Sequence, residues 1–83
     1  MFTIYQYKVE DRAFDRYYHS FENAKKSLEQ DVAALVERRG WKITRKIDRM
    51  NHCKGFYEFQ YDLITDSGEN ATLSLIEGHF VDN

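Results

Sequence analysis

The chain has 83 residues and a formal net charge of −2. That length allows one domain, 1–83, with a thin core that removes about 60–65% of the unfolded surface from water. The absence of proline, the four glycines and the single Cys53 exclude a linker-rich chain and an intramolecular disulfide. No run approaches the roughly 18 apolar residues of a membrane span, and Met1-Phe2-Thr3-Ile4-Tyr5 does not open a signal peptide, so the expected location is the cytoplasm.

Residues 2–9 and 14–18 read as strands of a hairpin joined by Glu10-Asp11-Arg12-Ala13. This pairing sets Val9 opposite Phe14, Tyr7 opposite Arg16 and Tyr5 opposite Tyr18, while the other face carries Phe2, Ile4 and Tyr17. Both faces are partly apolar, so either one can meet the rest of the core.

Residues 20–39 predict a helix. Ser20 is a good N-cap and Glu22 lies in the first turn, where the helix dipole favours negative charge. Phe21, Ala24, Leu28, Val32, Leu35 and Val36 recur at three- and four-residue spacing and form one apolar stripe. Arg38 and Arg39 suit the negative end of the dipole, Gly40 the left-handed C-cap, and Trp41 the apolar contact of a Schellman motif.

The remaining 41–81 segment reads as a three-stranded meander. With Asn51-His52-Cys53-Lys54-Gly55 as a loop, Ile47 faces Phe59, Ile43 faces Leu63, Lys46 meets Gln60, Thr44 meets Asp62 and Met50 meets Phe56. With Asp66-Ser67-Gly68 as a type I turn ending in a left-handed glycine, Leu63 faces Ala71, Tyr61 faces Leu73 and Phe59 faces Leu75. Both registers place Ile43, Ile47, Phe59, Tyr61, Leu63, Ala71, Leu73 and Leu75 on one face, because side chains alternate strictly along a strand. The expected fold is α+β, a two-layer ββαβββ sandwich with one helix packed on an antiparallel sheet.

Charge is segregated along this segment. Residues 38–54 carry seven basic side chains against Asp48 alone, and residues 55–83 carry six acidic ones with no Lys or Arg. The basic stripe Arg38, Arg39, Lys42, Lys46 and Arg49 can contact nucleic-acid phosphates, with a tyrosine stacking a base. Their alternative roles are structural: Arg38 and Arg39 cap the helix C-terminus, Arg45 and Arg49 lie over tyrosine rings, and Lys42 and Lys46 pair with Asp62 and Glu58.

No constellation points to catalysis. His52 and Cys53 are adjacent, no C-x-x-C or H-x-x-x-H spacing occurs, and the glycines form no phosphate-cradling loop, so neither metal nor cofactor is expected. Asp48, Glu58 and Asp62 read as a solvated charged face rather than a general acid–base pair. The chain is therefore expected not to be an enzyme.

One helix covers only one face of a sheet, which leaves Met50, Phe56, Ile64 and Ile76 on the other, beside Glu58 and Asp62. Such a patch fits a protein partner or a second copy of the chain. The expected function is a non-enzymatic protein-binding domain. The alternatives are a nucleic-acid-binding accessory domain and a small-ligand or nucleotide binder at a dimer interface.

A tyrosine-rich hairpin runs straight into a capped helix through Tyr17-Tyr18-His19-Ser20-Phe21-Glu22-Asn23-Ala24-Lys25-Lys26-Ser27-Leu28. That passage resembles small acidic α/β proteins of bacteriophages and mobile elements, several of which are stoichiometric inhibitors of host defence. The resemblance spans about the first half of the chain. It implies an inhibitor or regulator and transfers no residue role.

Overall fold

The computed structural model describes residues 2–51 and 56–78, with the side chains of residues 50, 51, 56, 57, 77 and 78 outside the described set. The elements are β1 (Phe2–Val9), β2 (Arg12–Tyr18), α1 (Phe21–Arg39), β3 (Lys42–Asn51), β4 (Phe56–Ile64) and β5 (Asn70–Gly78). All strands pair antiparallel in one sheet of order β2-β1-β5-β4-β3, and the ββαβββ two-layer architecture is the one expected.

The helix forms for the reasons its sequence states. Ser20 is extended (φ −120°) and its hydroxyl accepts from the Asn23 amide at 3.3 Å, while Gly40 takes the left-handed conformation at φ 69°. The Trp41 amide then donates back to the Leu35 carbonyl at 3.3 Å, and the indole is buried. Ala24, Leu28 and Val32 are the buried stripe, with Phe21 and Leu35 half-buried beside it and Val36 exposed.

The helix selects the odd-numbered face of β1: Tyr5 is buried against it, with Tyr7 and Val9 packed alongside. Thr3, on the same face, is also buried. Tyr5 pairs with Leu75, Tyr7 with Leu73 and Val9 with Ala71, so β1 joins the apolar face of β4 and β5. On that side Phe59↔Leu75, Tyr61↔Leu73 and Leu63↔Ala71 stand as expected, and Phe59 is 1% exposed. The β4–β5 turn is also as expected. Gly68 is left-handed (φ 85°), and Thr65 closes the loop by accepting from the Glu69 amide at 3.0 Å and donating its own amide to the Glu69 carbonyl at 2.9 Å.

Two registers differ from expectation. The first hairpin turns over Glu10-Asp11 alone, so Val9 pairs with Arg12, Tyr7 with Phe14 and Tyr5 with Arg16. Glu10 is left-handed (φ 51°) and is anchored to Asn70 by two 2.9 Å bonds, one through its amide and one through its carboxylate. A two-residue shift preserves the faces, so the consequence is local.

The second difference moves side chains across the sheet. β3 and β4 pair as expected at Ile43↔Leu63, but a bulge then sets both Thr44 and Arg45 against Asp62. The Thr44 hydroxyl donates to the Asp62 carbonyl at 3.2 Å. Beyond the bulge every partner slips by one: Ile47 pairs with Gln60, Lys46 with Tyr61 and Asp48 with Phe59. Ile47 therefore leaves the helix face and Lys46 enters it, with its ammonium 5.4 Å from the Tyr61 ring centre and 5.9 Å from that of Phe59. The exchange gives up one isoleucine at an edge strand. In return it gains cation–π contacts and sets Arg45 and Arg49 opposite Asp62 and Glu58.

Candidate functional site

A helix is about 10 Å across and strands lie about 4.8 Å apart, so α1 covers little more than two of the five strands. It packs over β1 and β5, and the uncovered flanks leave a groove on each side. The groove toward β3, about 310 Å³, is lined by Val32, Val36, Ile43 and Tyr61 with Glu29 and Glu37. The groove toward β2, about 640 Å³, is larger and of opposite charge. Tyr5, Tyr7, Phe14, Ala34 and Leu35 give its apolar part, and the cations Arg16, Arg38 and Arg39 outnumber the carboxylates of Asp15 and Asp31 on its lining.

Inside this groove the Tyr5 hydroxyl donates to Oδ2 of Asp31 at 2.7 Å. Burial, reinforced by the Asp31 hydrogen bond and charge, holds the Tyr5 phenol well above its ordinary pKa. Tyr7 is raised as well, chiefly by burial, with Arg39 pulling the other way. Asp31 is thus engaged by a tyrosine, and no ion pair to Arg16, Arg38 or Arg39 forms among the described residues.

The face opposite the helix is graded. At one end Ile4 pairs with both Tyr17 and Ile76, and the Phe2 and Tyr17 rings lie 6.1 Å apart. Tyr17 is 69% exposed and Ile76 48%. Along the strands the surface turns polar: Gln6, Ser74 and Gln60 form one row, Lys8, Thr72 and Asp62 the next. Oδ1 of Asp62 accepts from Gln60 at 2.7 Å and from Thr72 at 3.4 Å.

The expected partner-binding set is only partly brought together. Ile64 and Ile76 are both exposed on this face, but they sit six residues apart along the sheet, about 20 Å, and do not cluster. Asp62 belongs to the polar row, and Glu58 accepts from Arg49 at 2.9 Å. The side chains of Met50 and Phe56 lie outside the described residues, and the bulge pairs Met50 with Tyr57 instead of Phe56. Sequence reading placed Phe2, Ile4 and Tyr17 on one face of the hairpin but missed that Ile76 joins them. The signal was present in the alternation of β1, but the order β2-β1-β5 that joins them is a long-range pairing.

The basic stripe is divided by the same topology. Arg38 and Arg39 end the helix and line the groove toward β2, and Lys42 starts β3 at the far edge; the bulge exchanges the expected roles of the others, so that Lys46 lies by aromatic rings and Arg49 is paired with Glu58. The neighbouring Tyr61 side chain is the main cause that raises the Lys46 pKa. Asp48 stands opposite Phe59 and not opposite Glu58, so the carboxylates do not converge as a pair.

Among the described residues no three His, Cys, Asp or Glu side chains are placed to hold a metal ion, and His52, Cys53 and His79 lie outside them. No helix is long and apolar enough to cross a membrane. No family model, curated protein or solved structure matches the chain.

Proposed function

We propose that this chain is a non-enzymatic protein-binding domain that acts stoichiometrically, as a regulator or inhibitor working in the cytoplasm. The observation that carries the reading is the apolar end of the open face, where Phe2, Ile4, Tyr17 and Ile76 meet on three adjacent strands. Water-exposed apolar side chains that are contiguous across strands are what interface centres use, and tyrosine is enriched there. An inhibitor of phage or mobile-element origin is the specific form suggested by the resemblance of residues 17–28.

The test is affinity capture from the cells that make the protein, with mass spectrometry of what is recovered. Tyr17→Lys combined with Ile76→Lys changes two exposed positions and should leave the thermal transition nearly unmoved. The wild-type chain should recover a protein in near-equal amount that the double variant loses. Recovery of the same protein by both, or of nucleic acid alone, overturns the proposal.

A further inference from the structure

The two edges of the sheet are unlike. β3 is interrupted by its bulge and carries Lys42, Arg45, Lys46 and Arg49, the devices by which an edge resists pairing with another chain. β2 carries Arg12, Asp15 and Arg16 but has no bulge and, among the described residues, no cover. It pairs with β1 through seven consecutive residues, its outer edge has no strand neighbour among the described residues, and six of its seven residues are exposed. Phe14, on the helix side, is 65% exposed at the mouth of the arginine-rimmed groove.

We infer that β2 accepts an extended acidic segment of the partner protein as a sixth strand, whose alternate carboxylates reach Arg16, Arg38 and Arg39. The inference rests on the protein-binding reading and specifies the chemistry of the partner. A strand laid beside β2 gains backbone hydrogen bonds along the edge and sends every second side chain toward the helix side, where the groove lies. The groove offers three guanidiniums with no ion pair among the described residues, together with the rings of Tyr7 and Phe14. Guanidinium–carboxylate pairing is the strong, directional option for such a site.

A second copy of this chain fits the edge poorly. Antiparallel pairing of β2 with β2 about Asp15 brings the Arg12 and Arg16 side chains of both copies along one face of the seam. On the other face it sets the two Asp15 carboxylates against each other. Like charges directly opposed across strands are unfavourable, and such a pairing adds no further carboxylate on the helix side to meet the groove's arginines. An acidic segment from a different protein removes both conflicts.

The probe is a capped heptapeptide of alternating glutamate and valine, titrated into the isotope-labelled full chain and followed by amide chemical shifts. A matched lysine–valine peptide is the control. Residues Ala13–Tyr17 should shift and their outward amides should exchange more slowly with solvent. The glutamate peptide should bind roughly tenfold or more tightly than the lysine peptide, and weaken as salt is added. Arg16→Glu together with Arg38→Glu should reverse that preference.

Equal affinity for both peptides, no binding, or shifts confined to Ile4 and Ile76 would overturn strand docking at β2. A concentration-dependent dimer that protects the β2 amides without peptide would overturn it in favour of a second copy. If the peptide fails while Tyr17→Lys/Ile76→Lys still removes a captured protein, the protein-binding reading stands and only the strand-docking inference falls.

Discussion

The Tyr5 hydroxyl donates a 2.7 Å hydrogen bond to the Asp31 carboxylate, tying the middle of β1 to the middle of the helix across 26 residues of sequence. Tyr5 is among the buried core residues, so its hydroxyl has little access to water as a substitute partner. Tyr5→Phe keeps the ring and deletes this bond. A hydrogen bond to a charged group contributes about 1.5–3 kcal/mol, and the denaturant midpoint should fall accordingly with an unchanged slope. Loss of less than about 0.5 kcal/mol would mean that Asp31 is solvated as well without it.

The same tyrosine sets an alkaline limit on stability. Folding holds the Tyr5 phenol, and to a lesser degree that of Tyr7, above the ordinary value of 10.0. Above that pH the unfolded chain releases tyrosine protons that the folded chain retains, so folding stability decreases as pH rises. The contribution is complete below about pH 10 and is lost progressively above it. Denaturant midpoints measured between about pH 8 and pH 11 should fall, and fall less steeply for Tyr5→Phe.

The bulge in β3 makes opposite forecasts for two neighbouring apolar positions. Phe59 is 1% exposed, and Phe59→Ala should cost about 3–5 kcal/mol, close to the whole stability of so small a domain. Ile47, expected beside Phe59 in a regular strand, lies on the open face opposite Gln60. Ile47→Thr should therefore cost less than about 1 kcal/mol, where a core position would lose considerably more. Thermal transitions of the two variants distinguish the bulged register from the regular one.

The helix ends should respond in the ordinary way of caps. Ser20→Ala removes the acceptor of the Asn23 amide and should cost about 1 kcal/mol. Gly40→Ala meets no neighbour within 4 Å, so its cost comes from the left-handed backbone at φ 69° alone and should be about 1 kcal/mol. Gly40→Asn, which tolerates that conformation better, should cost less than Gly40→Ala in the same unfolding measurement.

Local chemistry made much of this molecule legible before its fold. The helix from its Ser20 cap to its Gly40 stop follows from residue types and a 3.6-residue period, and the β4–β5 hairpin follows from one glycine turn flanked by strict alternation. Each is determined within about 20 residues by interactions the sequence brings together directly. The β3 register is a different matter. Ile43 and Ile47 share a parity, and alternation alone puts both in the core. Only the folded sheet shows that this edge offers little burial: Ile43 is 47% exposed on the helix face, so moving Ile47 to the other face gives up little, and the extra residue at Thr44 brings Lys46 to Phe59 and Tyr61 and Arg49 to Glu58. The position of β1 inside the sheet, between β2 and the central β5, was likewise decided by tertiary pairing with β5, a contact across some 70 residues that no local pattern encodes. That one pairing assembles Ile4, Tyr17 and Ile76 into a surface and leaves β2 as the open edge, because adjacency in a sheet is set by which strand edges find partners and not by order along the chain.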